Sequence, residues 1–92
     1  MSNFRVFETK QFLSDLESRL GPRREKVVAR PHGDVYPQLQ AQPYFGRNIK
    51  KLKGYTEQTW RYRIGGFRFF YAIDDERKIV FMIAADTRQK GY

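Results

Sequence analysis

The stretch WRYRIGGFRFFYAIDDERKIVF, residues 60–81, decides the fold of this chain. Before its two glycines every second residue is apolar, which is the period of a β-strand with one buried face. Arg61 and Arg63 occupy the alternate positions and therefore share the opposite face. Gly65-Gly66 matches a two-residue hairpin loop of the kind that needs positive φ angles, so the following residues return as a second strand.

Further strands are expected on both sides of this hairpin. Residues 74–77 have turn chemistry, and residues 78–85 are apolar at nearly every position, which predicts a strand inside the sheet. Residues 3–8 alternate as a short first strand. Residues 43–54 are interpreted as a basic loop held by two apolar anchors, Ile49 and Leu52.

Two helical regions separate the first strand from the hairpin. Thr9 is a suitable N-cap, residues 12, 13, 16 and 20 are apolar at helical spacing, and Gly21-Pro22 ends the helix. Residues 22–42 predict one kinked helix or two short ones, because Pro31, Gly33 and Pro37 interrupt a straight helix. The order is β-α-α-β-β-β. We predict an α+β fold, a single domain over residues 1–92, with two N-terminal helices on one face of an antiparallel twisted sheet.

The charge points to a polyanionic partner. Eighteen basic residues stand against ten acidic ones, and residues 47–68 hold seven of the basic residues with a single acid, Glu57. Such a concentrated positive field favours capture of polyanions. The alternatives are a surface that only confers solubility and, with no basic amphipathic helix to support it, an anionic membrane surface.

Several classes of site are disfavoured by composition. The chain has no cysteine and one histidine, His32, so we expect no disulfide, metal or other cofactor. The longest apolar run, residues 79–85, falls short of the roughly 20 residues that span a bilayer. With no apolar signal segment at the N-terminus, we expect a soluble cytoplasmic protein.

The hairpin register predicts a cluster of arginines. A two-residue loop places Arg63 directly opposite Arg68, and Arg61 opposite Phe70 on the same face. Opposed like charges destabilise a sheet, and few acids in this strand pair could neutralise them. A phosphate would relieve the repulsion, because the arginine fork matches its oxygens. Alternatively, these are solvated charges whose stems cover Phe70.

The end of the chain is expected to join this cluster. The last strand should run antiparallel to the return strand and finish near the hairpin loop, which brings Arg88 to the end of the sheet that carries Arg63 and Arg68. Tyr92 could add an aromatic ring for stacking a nucleobase.

At these positions the sequence resembles the RelE/ParE toxin superfamily of bacterial toxin–antitoxin systems. The resemblance covers nearly the whole chain, and its most specific parts are the KLKG loop at 51–54, the R-x-R-I-G-G-F-R hairpin at 61–68 and the closing R-x-x-x-Y at 88–92. RelE-type members are metal-independent endoribonucleases that typically cut mRNA in the ribosomal A site. In them the ribose 2′-OH attacks the adjacent phosphate, leaving a 2′,3′-cyclic phosphate and a 5′-OH.

The resemblance implies a set of site residues. The catalytic residues are expected to be Arg61, Arg63, Arg68, Arg88 and Tyr92. Contacts to RNA or the ribosome are expected from Arg47, Lys50, Lys51, Lys53 and Lys90. Many relatives carry histidine where this chain has Thr87, and arginine is a poor general base. We therefore expect slow catalysis, based mainly on electrostatic stabilisation and positioning.

The resemblance also implies partners and leaves alternatives open. The partners would be an acidic antitoxin protein, mRNA and the ribosome, with DNA reached only through the antitoxin complex and no membrane. The ParE branch shares the fold but inhibits DNA gyrase without cleaving nucleic acid. A non-catalytic nucleic-acid-binding module is a further alternative.

Overall fold

The structure is a computed structural model that describes residues 3–20, 35–52, 58–64 and 66–87. Within these ranges the strands are β1 (Arg5–Glu8), β2 (Ile49–Leu52), β3 (Thr59–Ile64), β4 (Phe67–Asp74) and β5 (Ile79–Thr87). The helices are α1 (Lys10–Asp15), which continues as a π-helical segment over Leu16–Leu20, and α2 (Tyr36–Ala41). Residues 21–34, where part of the second helical region was predicted, lie outside the described residues.

The strands form one mixed sheet in the order β1-β5-β4-β3-β2. The α+β class and the helical layer are therefore confirmed, and β5 lies inside the sheet as predicted. Two details of the prediction are wrong. β1 runs parallel to β5, because a period-two pattern fixes which face a residue occupies but not the direction of its neighbour. Residues 49–52 are a strand within the expected loop, and they pair antiparallel with β3.

The hairpin between β3 and β4 has the predicted register. Arg63 pairs with Arg68, and Arg61 pairs with Phe70. Gly65 lies outside the described residues, while Gly66 does not have the left-handed φ that was expected of both glycines. The register that follows from a two-residue loop nevertheless holds along the whole strand pair.

The helices begin and pack as their sequences indicate. The Thr9 side chain accepts a hydrogen bond from the Phe12 N–H and so caps α1, as predicted. Pro37 lies in the first turn of α2, where a missing N–H costs no hydrogen bond, so it does not interrupt this helix. The side chain of Leu39 in α2 is fully buried, together with Val35 just before the helix.

The core lies between the helices and one face of the sheet. The rings of Phe12 on α1 and Phe69 on β4 meet edge to face with centroids 5.4 Å apart. On β3, the Tyr62 hydroxyl donates a hydrogen bond to Gln38 of α2 at 2.7 Å. Alternate residues of β3 and β4 therefore face the helices, and the residues between them face away.

Tyrosine hydroxyls tie the outer segments to this core. Tyr36 donates to Glu8, Tyr44 to Asp75, and Tyr71 to the backbone carbonyl of Pro43, each at 2.7 Å. Removal from water, followed by the hydrogen bond to Asp75, raises the pKa of Tyr44 to about 12. Burial likewise raises the pKa of Tyr36 and Tyr71 well above the ordinary tyrosine value. All three hydroxyls are therefore hydrogen-bond donors at neutral pH.

The turn between β4 and β5 contains the one described residue other than glycine with a positive φ, Lys78 at 59°. Its ammonium group lies 3.3 Å from the Asp75 carboxylate and 5.1 Å from the centroid of the Phe4 ring. Its carbonyl oxygen accepts the N–H of Arg5 at 2.9 Å. The turn is thereby fastened to the first strand. None of the helices in the described ranges has the length and apolar character needed to cross a membrane.

Candidate nucleic-acid interface

The side of the sheet turned away from α1 and α2 carries the predicted arginines. We call it the distal face, and we define it by the side chains of Lys50, Arg61, Arg63, Arg68, Phe70 and Asp86. Strand pairing places these side chains on the same face, because directly opposed residues point to the same side of a sheet. Two rows run across the strands. One joins Lys50, Arg61 and Phe70, and the other joins Arg63, Arg68 and Asp86.

A basic groove lies at the β2 end of the distal face. Its volume is about 330 Å³, and its lining comprises Arg47, Asn48, Ile49, Lys50, Arg61 and Arg63. The groove forms because the Asn48 carbonyl accepts the N–H of Arg63 at 3.0 Å, which holds the residues before β2 against β3. Of the six described residues in its lining, four are cationic and none is acidic, so the groove is suited to an anion.

Arg61 supplies an unused hydrogen-bond donor in this groove. Its Nε atom is buried and makes no hydrogen bond with any described residue. A buried donor without a partner costs free energy, on the order of 1–3 kcal/mol for a neutral group and more for a charged one. A phosphate oxygen would satisfy it only after the Arg61 side chain turned outwards. The groove therefore has the charge that suits an oxyanion.

The second row contains an acidic residue that sequence analysis did not identify. The Arg68 Nη2 atom lies 3.7 Å from the Asp86 Oδ2 atom, and the two side chains are 27 % and 30 % exposed. The prediction that few acids could neutralise the arginines considered only the hairpin strands, whereas Asp86 comes from β5. Arg68 is thus held between the cation of Arg63 and the carboxylate of Asp86.

The remaining predicted residues fall into two groups. Lys51 pairs with Trp60, and its ammonium group lies 5.5 Å from the centroid of that ring, so it belongs to the helix-covered side of the sheet and not to the groove. The positions outside the described residues are Lys53, Arg88, Lys90 and Tyr92. The strand that leads to residue 88 ends with Thr87 opposite Phe67, which is the hairpin end of the sheet, as expected.

An exposed aromatic ring also lies near the groove in sequence. Phe45 is 76 % exposed and comes two residues before Arg47. Sequence analysis assigned it no function, because an isolated phenylalanine in a loop is indistinguishable from a core anchor. An exposed ring is a surface on which a base can stack.

The arrangement can bind a phosphodiester and polarise it. Two arginines from adjacent strands present planar donor groups on one face, and Lys50 and Arg47 extend the positive charge along the groove. Among the residues that the structure describes, no three His, Cys, Asp or Glu side chains are grouped so as to hold a metal ion.

The comparison with solved structures finds toxins of toxin–antitoxin systems. A chain of the crystal structure of the toxin–antitoxin complex RelBE2 from Mycobacterium tuberculosis is 29 % identical, with a TM-score of 0.73 over 94 % of this chain and 99 % of that one. The YoeB/ParE toxin from Agrobacterium tumefaciens is 19 % identical, with a TM-score of 0.70 over 91 % and 98 %. The isolated E. coli RelE toxin is 19 % identical, with a TM-score of 0.63 over 91 % and 83 %.

Fold and site therefore define a small α+β protein with a cationic sheet face. Over nearly its whole length the chain has the fold of RelE/ParE-superfamily toxins, as its motifs indicated. A scan of protein-family models gave no match to this sequence, and neither did a search of curated proteins.

Proposed function

We propose that this chain is the toxin of a toxin–antitoxin pair and that it is an endoribonuclease which cleaves mRNA on the distal face. The observation that carries the proposal is the facing pair Arg63–Arg68 beside the basic groove. Like charges in direct opposition destabilise a sheet. Asp86 offsets the charge of Arg68, and an anion in the adjoining groove, whose described lining is cationic, would offset that of Arg63. RNA is the polyanion that the resemblance to RelE-type toxins implies.

The reaction follows from the chemistry of a ribose phosphodiester. The 2′-oxygen forms a bond to the adjacent phosphorus, the bond from phosphorus to the 5′-oxygen breaks, and the products carry a 2′,3′-cyclic phosphate and a 5′-OH. Charge accumulates on the non-bridging oxygens in the transition state. Arg61, Arg63 and Arg68 stabilise that charge from fixed positions, which is the largest contribution that such a site makes. Arg88 and Tyr92 remain predicted members of the site, at the leaving group and at a base.

The partners follow from the same proposal. The RelBE structures similar to this chain are toxin–antitoxin complexes, so we expect a cognate antitoxin. An acidic antitoxin that folds on binding would suit a chain of net charge +8. The message would be cut on the ribosome in the cytoplasm, with Arg47 and Lys50 in contact with RNA in the groove. Lys53 and Lys90 remain predicted RNA contacts, and Lys51, on the helix-covered side, would be available for contact with the ribosome.

The experiment is to add purified protein to a translation extract and to map the ends of the message. We expect new 5′-OH ends within coding sequence from the wild-type protein, and at least tenfold fewer from Arg63→Gln. Arg77→Gln is the matched control, because it removes the same charge from an exposed side chain at the other end of β4. An intact message in arrested extract would contradict the proposal.

The alternative function is inhibition of DNA gyrase, in the manner of the ParE branch. The similarity to the YoeB/ParE toxin, with a TM-score of 0.70, favours keeping this candidate. A supercoiling assay separates the two functions. Arrest of gyrase by the wild-type protein, with no new RNA ends in the extract, would favour the ParE-like function.

A further inference from the structure

Acidic residues are scarce on the strands that form the distal face. Strands β2 and β3 contain none, β4 contains Asp74 at its last position, and β5 contains Asp86. Asp74 pairs with Ile79 at the turn end of the sheet, and Asp86 pairs with Arg68 at the hairpin end. One carboxylate on these strands is therefore directly opposite an arginine of the site.

An irregularity in β5 turns this carboxylate towards the site. Tyr71 pairs with Met82 whereas Phe70 pairs with Ala84, so Ile83 is an extra residue opposite that step. Met82 and Ala85 are both buried on the helix side, with exposures of 0 % and 3 %. Regular alternation from Met82 would put Asp86 on the helix side as well. β-Bulges redirect side chains in this way and are frequent beside active sites.

A buried acid fastens the strand just after the bulge. The Asp15 Oδ2 atom accepts the N–H of Ala85 at 3.0 Å, and the Oδ1 atom accepts the side-chain amide of Gln11 at 2.8 Å. Asp15 is 6 % exposed. The buried carboxylate of Asp15 therefore fixes the backbone next to Asp86.

Among the described residues that define the distal face, Asp86 carries the one carboxylate that could act as a general base. Arginine keeps its proton at physiological pH and cannot accept one from a 2′-OH. A carboxylate can, and aspartate is ionised at neutral pH. From Arg63 to Asp86 the row spans two strand spacings, about 10 Å, which leaves room for a phosphate at the arginines and a ribose hydroxyl at the carboxylate.

We propose that Asp86 is the general base of the RNA cleavage, an inference that rests on the proposed function. Its carboxylate takes the proton of the 2′-OH as that oxygen bonds to phosphorus. The 5′-oxygen leaves with the electron pair of the broken bond and takes a proton from water, and Asp86 returns its proton to solvent. The ion pair with Arg68 orients the carboxylate before the substrate binds.

The test is the single-turnover cleavage rate of ribosome-bound mRNA by Asp86→Asn, at saturating protein. A positioned general base contributes about 10²–10⁴-fold, so we expect a loss of that size. Affinity for a message with a 2′-deoxynucleotide at the cleaved position should stay equal or rise, because the variant keeps the shape of the side chain and removes a negative charge. Asp74→Asn is the matched control, since the Asp74 side chain is 32 % exposed at the far end of the same strand pair.

The pH dependence separates a base from a residue that only positions Arg68. Among the described residues, the charged groups around Asp86 are Arg68 on β4, Arg63 beyond it on β3, and Asp15, which bonds to the neighbouring backbone from the helix side. We expect a wild-type rate that is level between pH 6 and 8, and an Asp86→Asn rate that rises about tenfold per pH unit, as hydroxide replaces the base.

Three results would overturn the inference while leaving the nuclease function in place. The first is cleavage by Asp86→Asn at a rate within threefold of the wild-type rate. The second is an equal loss of cleavage rate and of RNA affinity in Asp86→Asn. The last is a wild-type cleavage rate that itself rises tenfold per pH unit. The last needs no variant and holds even if Asp86→Asn does not fold. Failure of the wild-type protein to cleave at all would instead contradict the proposed function.

Discussion

Replacing Arg63 with glutamine should make the fold more stable while weakening the site. Glutamine keeps the apolar stem and removes the charge that faces Arg68. Two charges about 6 Å apart in a water-like dielectric repel by about 0.7 kcal/mol, while the more distant attraction of Arg63 to Asp86 and its repulsion from Arg61 oppose one another. At 0.01 M salt the screening length is about 30 Å, so most of this repulsion acts. At 0.15 M, with a screening length of about 8 Å, roughly half of it remains.

Thermal unfolding at the two salt concentrations measures this effect. For a domain of this size 1 kcal/mol shifts Tm by roughly 4–8 °C, so Arg63→Gln should raise Tm by about 3–5 °C at 0.01 M salt and by about half as much at 0.15 M. The control Arg77→Gln loses a weak ion pair with Asp74 at 4.0 Å and should leave Tm unchanged or slightly lower. A lower Tm for Arg63→Gln, or a gain independent of salt, would refute the reasoning.

Three further outcomes follow from the core and the turn. Tyr71→Phe should lower the free energy of unfolding by about 1–3 kcal/mol in urea titrations, because it leaves the buried Pro43 carbonyl without its donor; an unchanged midpoint would contradict this. The free energy of unfolding should keep its full value below the ordinary tyrosine pKa near 10 and should decrease as pH rises towards 12. The reason is that folding raises the pKa of Tyr36, Tyr44 and Tyr71. Ultraviolet titration of the tyrosinates alongside circular dichroism would detect the coupling, and ionisation near pH 10 in a fully folded chain would exclude it. Lys78→Gly should be more stable than Lys78→Ala by about 1 kcal/mol in the same urea titrations, because both lose the side-chain contacts but only glycine tolerates a φ of 59° without strain; equal stabilities would show that the turn carries no strain.

The sequence predicted the hairpin well because its signals are local. Alternation assigns each residue to a face, and a two-residue loop fixes which residues are opposite one another. The pair Arg63–Arg68 follows from these two facts alone. The fold class follows from the order of the elements, which needs no long-range information.

The parts that sequence reasoning missed depend on long-range pairing. Residues 49–52 were interpreted as part of a loop because IKKL has no clear alternation of apolar and polar residues. This segment forms a strand only by pairing with the edge of β3. Once it is a strand, Lys50 and Lys51 separate onto opposite faces. Asp86 reaches the distal face because of the irregularity at Ile83, and a one-residue offset of that kind has no signature in an apolar run.

The central claim is that the arginines of the distal face hold RNA phosphates, and the salt dependence of RNA affinity tests it most directly. For binding to a non-cleavable single-stranded RNA, log K falls as log salt concentration rises. This negative slope should become shallower by about 0.7 for each phosphate contact that is lost. We predict this reduction for Arg61→Gln and for Arg63→Gln, and an unchanged slope for Arg77→Gln. Equal slopes for all three variants and the wild-type protein would contradict the account.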